Sequence, residues 1–319
     1  MIVVSEFRPS WWLRNPHLQT ILASKVYKPP KTLSRSERIE LEDGDFIDIN
    51  LSHRTHGPVV AVFHGLAGCI QSSYIQGVFQ ALESAGFRPA LMHWRGCSGE
   101  PNRLARSYHS GASDDIAWFL HYLQQRFTGE KIYALGYSLG ANALLKYLGE
   151  AGSSSELDGA MAVCPPLVLS ECANQLNTGV SRIYQRYLLS LMRAQHERKR
   201  TRYPELQLPA ATEKLNNFWR FDDVITAPLH GFSDAHDYYA RCSARQFLPD
   251  IRVPTHILCA QDDPFFTRAI LPEQNELAGN TTLELSATGG HVGFLGHQPD
   301  RRRWLDGHVA NVLDSYRKR

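Results

Sequence analysis

Residues 131–148, Lys-Ile-Tyr-Ala-Leu-Gly-Tyr-Ser-Leu-Gly-Ala-Asn-Ala-Leu-Leu-Lys-Tyr-Leu, constrain this chain more than any other stretch. An apolar, strand-like run breaks at Gly136-Tyr-Ser-Leu-Gly140 and changes at once to helical spacing. A serine at such a junction must take a strained backbone that lifts its side chain above the sheet. Glycines two positions either side remove the Cβ atoms that would otherwise collide. Ser138 is therefore the candidate nucleophile. The pentapeptide alone is a loose pattern, and it gains meaning only if the chain also supplies a base, an acid and donors for an oxyanion.

Two glycine-containing turns after strand-like runs supply them. Val59-Val-Ala-Val-Phe63 is apolar throughout, as in a central strand buried on both faces, and it ends in His64-Gly-Leu-Ala-Gly68. Free backbone N–H groups in such a loop can face a substrate oxygen, so the amides of Leu66 and Leu139 form the candidate oxyanion hole. His64 is placed to organise that loop. Thr255-His-Ile-Leu-Cys-Ala260 runs into Gln261-Asp-Asp-Pro-Phe265, and a later strand candidate, residues 281–285, precedes Gly289-Gly-His291. His291 is the candidate base. The residue just before the proline ends its strand, which favours Asp263 as the acid and leaves Asp262 as a hydrogen-bonding support. His93 and His297 have weaker claims.

Strands alternate with helical spacing through residue 166, the mark of a mostly parallel sheet flanked by helices. Residues 38–41 and 46–51 predict an antiparallel hairpin, and residues 73–84, 114–127 and 301–316 predict helices. From 167 to 247 strand-like runs give way to helical segments, which reads as an insertion; 1–166 and 248–319 are then two parts of one core. The first 30 residues form an arm across that core, with Trp11 and Trp12 expected to pack against it. In the segment 180–202, Ile183, Tyr187, Leu188 and Leu191 share one helical face and Arg182, Arg186, Arg193 and Arg200 crowd another. That pattern predicts a lid helix with a buried side and a solvated basic side, and it leaves peripheral contact with lipid open.

With 319 residues, 43% of them hydrophobic, the chain buries a large core without staples. Thirty-four basic residues against 32 acidic ones give no nucleic-acid footprint and predict weak steering of anionic partners. Six scattered cysteines without a C-x-x-C pair point to reduced thiols rather than a zinc or redox site. The N-terminus lacks the features of a signal peptide, and no apolar run approaches the length of a bilayer span, so a cytoplasmic protein without stable membrane insertion is expected.

Taken together, Phe63-His-Gly-Leu-Ala-Gly68, His93-Trp-Arg-Gly-Cys-Ser-Gly99, Tyr108-His-Ser-Gly-Ala-Ser-Asp-Asp115, Gly136-Tyr-Ser-Leu-Gly-Ala-Asn142, Phe221-Asp-Asp223, Asp237-Tyr-Tyr239 and Asp262-Asp-Pro264 resemble the YheT-type subfamily of α/β-hydrolases. The resemblance runs from the Trp-Leu-Arg-Asn arm to the His291 turn. It implies an α/β-hydrolase core, a lid between the sixth and seventh core strands, a Ser138–Asp263–His291 triad and carboxylic-ester chemistry. The chain order Ser, Asp, His is the one that fold uses. The expected activity is a serine carboxylic-ester hydrolase working through an acyl-enzyme on a short- to medium-chain acyl ester, with neither metal nor organic cofactor. Two alternatives are an alcohol O-acyltransferase using the same acyl-enzyme and a non-catalytic binding protein on this fold.

Overall fold

Five consecutive apolar residues leave a strand no face to give to water, so Val59–Phe63 must lie inside a layered sheet. The computed structural model describes residues 1–296 and 303–318, which leaves His297 and the predicted helix start at Arg301 outside the described residues. Its strands are β1 (Ile2–Val4), β2 (Ser34–Glu40), β3 (Phe46–Ser52), β4 (Val59–Phe63), β5 (Arg88–Met92), β6 (Ile132–Tyr137), β7 (Gly159–Val163), β8 (Thr255–Ala260) and β9 (Thr281–Ser286). They form one sheet in the order β1-β9-β8-β7-β6-β4-β5-β3-β2. The β2–β3 and β3–β5 pairs are antiparallel and all others parallel. The mostly parallel sheet matches the expectation from sequence. Strand β1 was not expected; its three residues pair with β9, from Ile2 opposite Leu283 to Val4 opposite Leu285.

Alternate residues of β4 point to opposite layers. Val59, Ala61 and Phe63 pack with α3 (Ser113–Arg126) and α4 (Leu139–Ala151), whereas Val60 and Val62 pack with α2 (Ser73–Ser84) and the closing helix Trp304–Arg317. After β4 the chain moves to β5 on one side, then returns to lay β6 on the other. That reversal opens a crevice beyond the strands' carboxyl ends. Phe63 pairs with Gly136, so the loop after β4 and the turn after β6 leave the sheet side by side.

Between β7 and β8, residues 167–247 hold no strand. They carry α5 (Leu169–Leu176), α6 (Ser181–Arg202), the short α7 (Phe218–Phe221) and α8 (Ala227–Leu229), and α9 (Ala235–Cys242). Counted from the hairpin, with the edge strand β1 set aside, this insertion lies between the sixth and seventh strands, β7 and β8. Two apolar clusters hold it together, one around Leu169, Phe232 and Tyr238 and the other around Leu189, Leu215 and Phe221. Asp222 joins two of the sequence motifs by accepting from Tyr239 Oη at 2.7 Å and Thr226 Oγ1 at 2.5 Å. Burial pushes its carboxyl up to about 6. In the core, Arg95 pairs with Asp115 at 2.9 Å and Asp45 at 2.9 Å, which explains the His-Trp-Arg-Gly and Ser-Asp-Asp motifs as a buried tie. All six cysteines are free thiols, five buried and Cys69 half-buried. No helix among the described residues is long and apolar enough to cross a membrane.

One expectation fails and another holds in part. Trp11 and Trp12 do not pack against the core; Trp11 is 81% exposed. In α6 the expected buried stripe is covered only in part: Leu188 and Leu191 are half-buried, Ile183 and Tyr187 are exposed, and Arg182, Arg186 and Arg200 are exposed as the basic side. The fully buried row is Ser181, Gln185, Leu189, His196 and Lys199, whose polar members are anchored by hydrogen bonds while Leu189 joins an apolar cluster. Lys199 Nζ donates to Asn102 Oδ1, Ser107 Oγ and the carbonyls of Ala105 and Arg106 at 2.7–3.0 Å.

Candidate active site

Ser138 stands at the N-cap of α4 with φ 50° and ψ −117°, the strained geometry its glycine neighbours imply. A Cβ at Gly140 would sit 2.4 Å from the Phe63 carbonyl oxygen, and one at Gly136 would sit 2.6 Å from Ala141 Cα. Neither position admits a side chain. The Ser138 amide is fixed by donating to Val163 O at 2.8 Å. Asn142, one turn into α4, is fully buried; its Nδ2 donates to the carbonyls of Ser110 and Cys242 and its Oδ1 accepts from the Ala244 amide. The helix that carries the serine is thereby tied to the end of the insertion.

The three residues singled out by sequence converge. Ser138 Oγ lies 2.9 Å from His291 Nε2, and His291 Nδ1 lies 2.8 Å from Asp263 Oδ2. An ionised carboxylate only accepts, so Nδ1 carries the proton and Nε2 is left to accept from the serine hydroxyl. Asp263 is buried, and its other oxygen accepts from the Phe265 amide at 2.8 Å. Asp262 instead accepts from the Gly290 amide at 3.0 Å, bracing the loop that presents His291. Burial pushes the Asp262 carboxyl upward. The Phe265 ring stacks on His291 with centroids 3.8 Å apart and planes within 7°.

In the loop after β4, three amides are occupied. Gly65 N donates to Tyr74 Oη at 2.9 Å, Ala67 N donates to Tyr108 Oη at 2.9 Å, and Gly68 N donates to Gly65 O at 3.0 Å. The Leu66 amide has no such partner among the described residues. Leu139, as the first residue of α4, likewise has an N–H with no intrahelical partner. His64 contacts this loop: Trp94 N–H donates to its Nε2 at 3.2 Å and its Nδ1 donates to Gly65 O at 2.7 Å. Complete burial, with His93 close by, pulls the imidazole down to about 3, so it stays neutral.

A cavity of about 1250 Å³ reaches Ser138, His291, Leu66 and Leu139, roofed by Leu188, Leu191, Phe218 and Ile225 of the insertion. As for metals, two groups among the described residues bring three ligand atoms within 4.8 Å. One is Cys164 with Asp263 and His291, and the other is His256, Glu284 and His308. In the second, both imidazole Nε2 atoms share Glu284 Oε2 at 2.6 and 2.7 Å, which is hydrogen-bond spacing.

Sequence reasoning missed the part that the N-terminal helix α1 (Pro16–Lys25) plays. Thr20 Oγ1 accepts from the His291 amide at 2.9 Å and donates to Pro16 O at 2.8 Å. Gln19, fully buried, grips the same loop from both ends of its amide: Oε1 accepts from Leu295 N at 2.6 Å and Nε2 donates to Leu295 O at 3.0 Å. No spacing signal joins positions 271 residues apart. Thr20 is a positioning residue, and Thr20→Val is expected to lower kcat about 10- to 100-fold, the scale of a sub-ångström to 1 Å misplacement, with KM nearly unchanged. Thr20→Ser restores it. Rates are normalised to sites titrated with a fluorophosphonate, so a mere loss of folded protein does not mimic the effect.

Comparisons with known proteins bear on the fold and the family. The family profile for the alpha/beta hydrolase fold matches residues 58–298. The chain is 41% identical over 320 residues to YheT of Escherichia coli (strain K12), whose name assigns it provisionally to the esterases, covering 98% of this chain and 94% of that one. It is 27% identical to a mouse protein named phospholipase ABHD3, covering 96% and 77% of the two chains. Among solved structures, the Pyrococcus furiosus esterase Pf2001 superposes with a TM-score of 0.60 at 15% identity, covering 92% of this chain and 98% of that one; at that identity it speaks for the fold alone. The chain therefore belongs to the α/β-hydrolase family and, within it, to the YheT-like esterases.

Proposed function

We propose that the protein is a serine carboxylesterase that works through an acyl-enzyme on Ser138. The observation that carries this reading is the 2.9 Å contact between Ser138 Oγ and His291 Nε2, backed by the 2.8 Å contact to Asp263. His291 Nε2 takes the hydroxyl proton as Oγ bonds to the ester carbonyl carbon, and the carbonyl electron pair moves onto oxygen. The amides of Leu66 and Leu139 receive that oxyanion, which fits their lack of other partners among the described residues. Collapse breaks the ester C–O bond, and His291 returns its proton to the departing alcohol. Water then attacks the acyl group with His291 as base, releasing the acid and the free serine. Asp263 holds the productive tautomer throughout and stabilises the imidazolium.

The insertion acts in this reading as a lid, and its apolar roof selects short- to medium-chain acyl groups. Each added methylene that enters the cavity contributes about 0.8 kcal/mol, so kcat/KM is expected to rise about fourfold per carbon. The rise ends where the chain reaches the open mouth. A series of p-nitrophenyl esters from acetate upward measures this. A flat or falling series from the first member would remove the roof from any part in selectivity, and no hydrolysis of any member would remove the esterase reading.

A further inference from the structure

The two helices that border the cavity mouth bury several polar side chains and expose apolar ones beside their cations. Helix α1 buries Gln19 and Thr20 and exposes Leu18 and Ile21; α6 buries Gln185, His196 and Lys199 and exposes Ile183 at 63% and Tyr187 at 47%. A helix facing water does the reverse. On the inner side the polar groups have partners: Gln19 grips Leu295, and Lys199 holds residues 102–107. On the outer side nothing among the described residues covers the apolar groups. The helices meet across the mouth, where His17 Nδ1 lies 3.0 Å from Tyr184 Oη and Lys25 Nζ donates to Tyr187 Oη at 3.1 Å, so their outer residues form one rim.

Thirteen large apolar side chains are exposed among the described residues, and nine of them lie in residues 7–36 and 172–196. The first segment contributes Trp11, Trp12, Leu18, Ile21, Val26 and Leu33, and the second Val180, Ile183 and Tyr187. The same two segments carry nine Arg and Lys and no Asp or Glu, in a chain whose net charge is only +2. Arg14, Lys28, Arg182 and Arg186 have no carboxylate within 4 Å among the described residues. Exposed tryptophans and aliphatic residues ringed by unpaired cations match the boundary between anionic headgroups and acyl chains. A second copy of the chain fits poorly, because a two-fold interface would set these cations against themselves.

We propose that this rim docks the protein on an anionic lipid surface, with Trp11, Trp12, Leu18 and Ile183 at the acyl boundary and Arg14, Lys28, Arg182 and Arg186 at the phosphates. The cavity mouth then opens onto the surface itself, giving an apolar ester a path toward Ser138 that avoids water. Docking is read without turnover, so it stands apart from the ester chemistry.

The test is flotation of the full chain with vesicles of phosphatidylcholine, alone or mixed with phosphatidylglycerol, at low and high salt. Binding is expected with the mixed vesicles, weakening with salt, and little with phosphatidylcholine alone. Arg182→Glu with Arg186→Glu is expected to weaken binding at least about 25-fold, since each cation near such a surface contributes about fivefold. Trp11→Ser with Trp12→Ser and Leu18→Ser should weaken it at least about tenfold. Both variants alter exposed positions outside the cavity, and their hydrolysis of a dissolved short ester is expected to match the parent, which confirms the fold. Parent protein that stays unbound with anionic vesicles would overturn the proposal, as would variants that bind as the parent does. So would a concentration-dependent dimer that the tryptophan variant converts to monomer, because the rim would then be covered by a second copy.

Discussion

Ser138→Ala is expected to lower hydrolysis of p-nitrophenyl esters by at least about 10⁴-fold while leaving a folded protein. The size of the loss follows from the chemistry: without Oγ there is no acyl acceptor, and His291 has no proton to take. What survives is the oxyanion site and the cavity, which in serine hydrolases leave about 10³–10⁴ of rate over water. The substitution is structurally mild. Alanine keeps the Cβ that packs near Gly65, and the amide bond to Val163 O and the turn glycines are untouched. The strained backbone at φ 50° costs alanine about what it costs serine. Turnover is measured with the melting midpoint as a check on folding. A variant within tenfold of the parent would mean that another group attacks the ester.

Asp263→Asn should cost about 10⁴-fold in kcat, and Asp262→Asn less than about tenfold. The difference lies in what each carboxylate accepts. Asp263 takes the His291 Nδ1 proton on one oxygen and the Phe265 amide on the other, so both atoms must be acceptors. Asparagine offers one acceptor and one donor. If its NH₂ faces His291, the imidazole must carry its proton on Nε2 and cannot receive the serine's; if its NH₂ faces Phe265, two N–H groups oppose each other. Asp262 takes no imidazole proton; it accepts from the Gly290 amide at 3.0 Å, and the oxygen of asparagine can do the same. Comparing kcat for the two variants decides the acid. The reverse ranking would assign the role to Asp262.

Much of this was written in the local pattern of the chain. The apolar run of β4 and the strand–turn–helix at Ser138 are short-range signals, since burial on both faces and a turn flanked by glycines leave few alternatives. Asp263 could be preferred over Asp262 because the proline at 264 limits the backbone of the residue before it. What was hidden depends on contacts distant in sequence. Thr20 and Gln19 matter because α1 lies against the His291 loop, a placement that no periodicity announces. The stripe on α6 was visible, but its orientation was not. A helical projection finds faces, and only the cavity and the anchoring of Lys199 decide which face turns inward. The basic face of α6 was visible too, but the overall charge concealed the cations of the N-terminal segment that join it, because the rest of the chain balances them.

The central claim, an acyl-enzyme on Ser138, is tested most directly by trapping the nucleophile. A fluorophosphonate should react so that Ser138 Oγ bonds to phosphorus as fluoride leaves, and peptide mass spectrometry of the treated protein should place the adduct on Ser138 and find none in Ser138→Ala. Folded parent protein that remains unlabelled, or an adduct mapped to any other residue with Ser138 free, would contradict the claim.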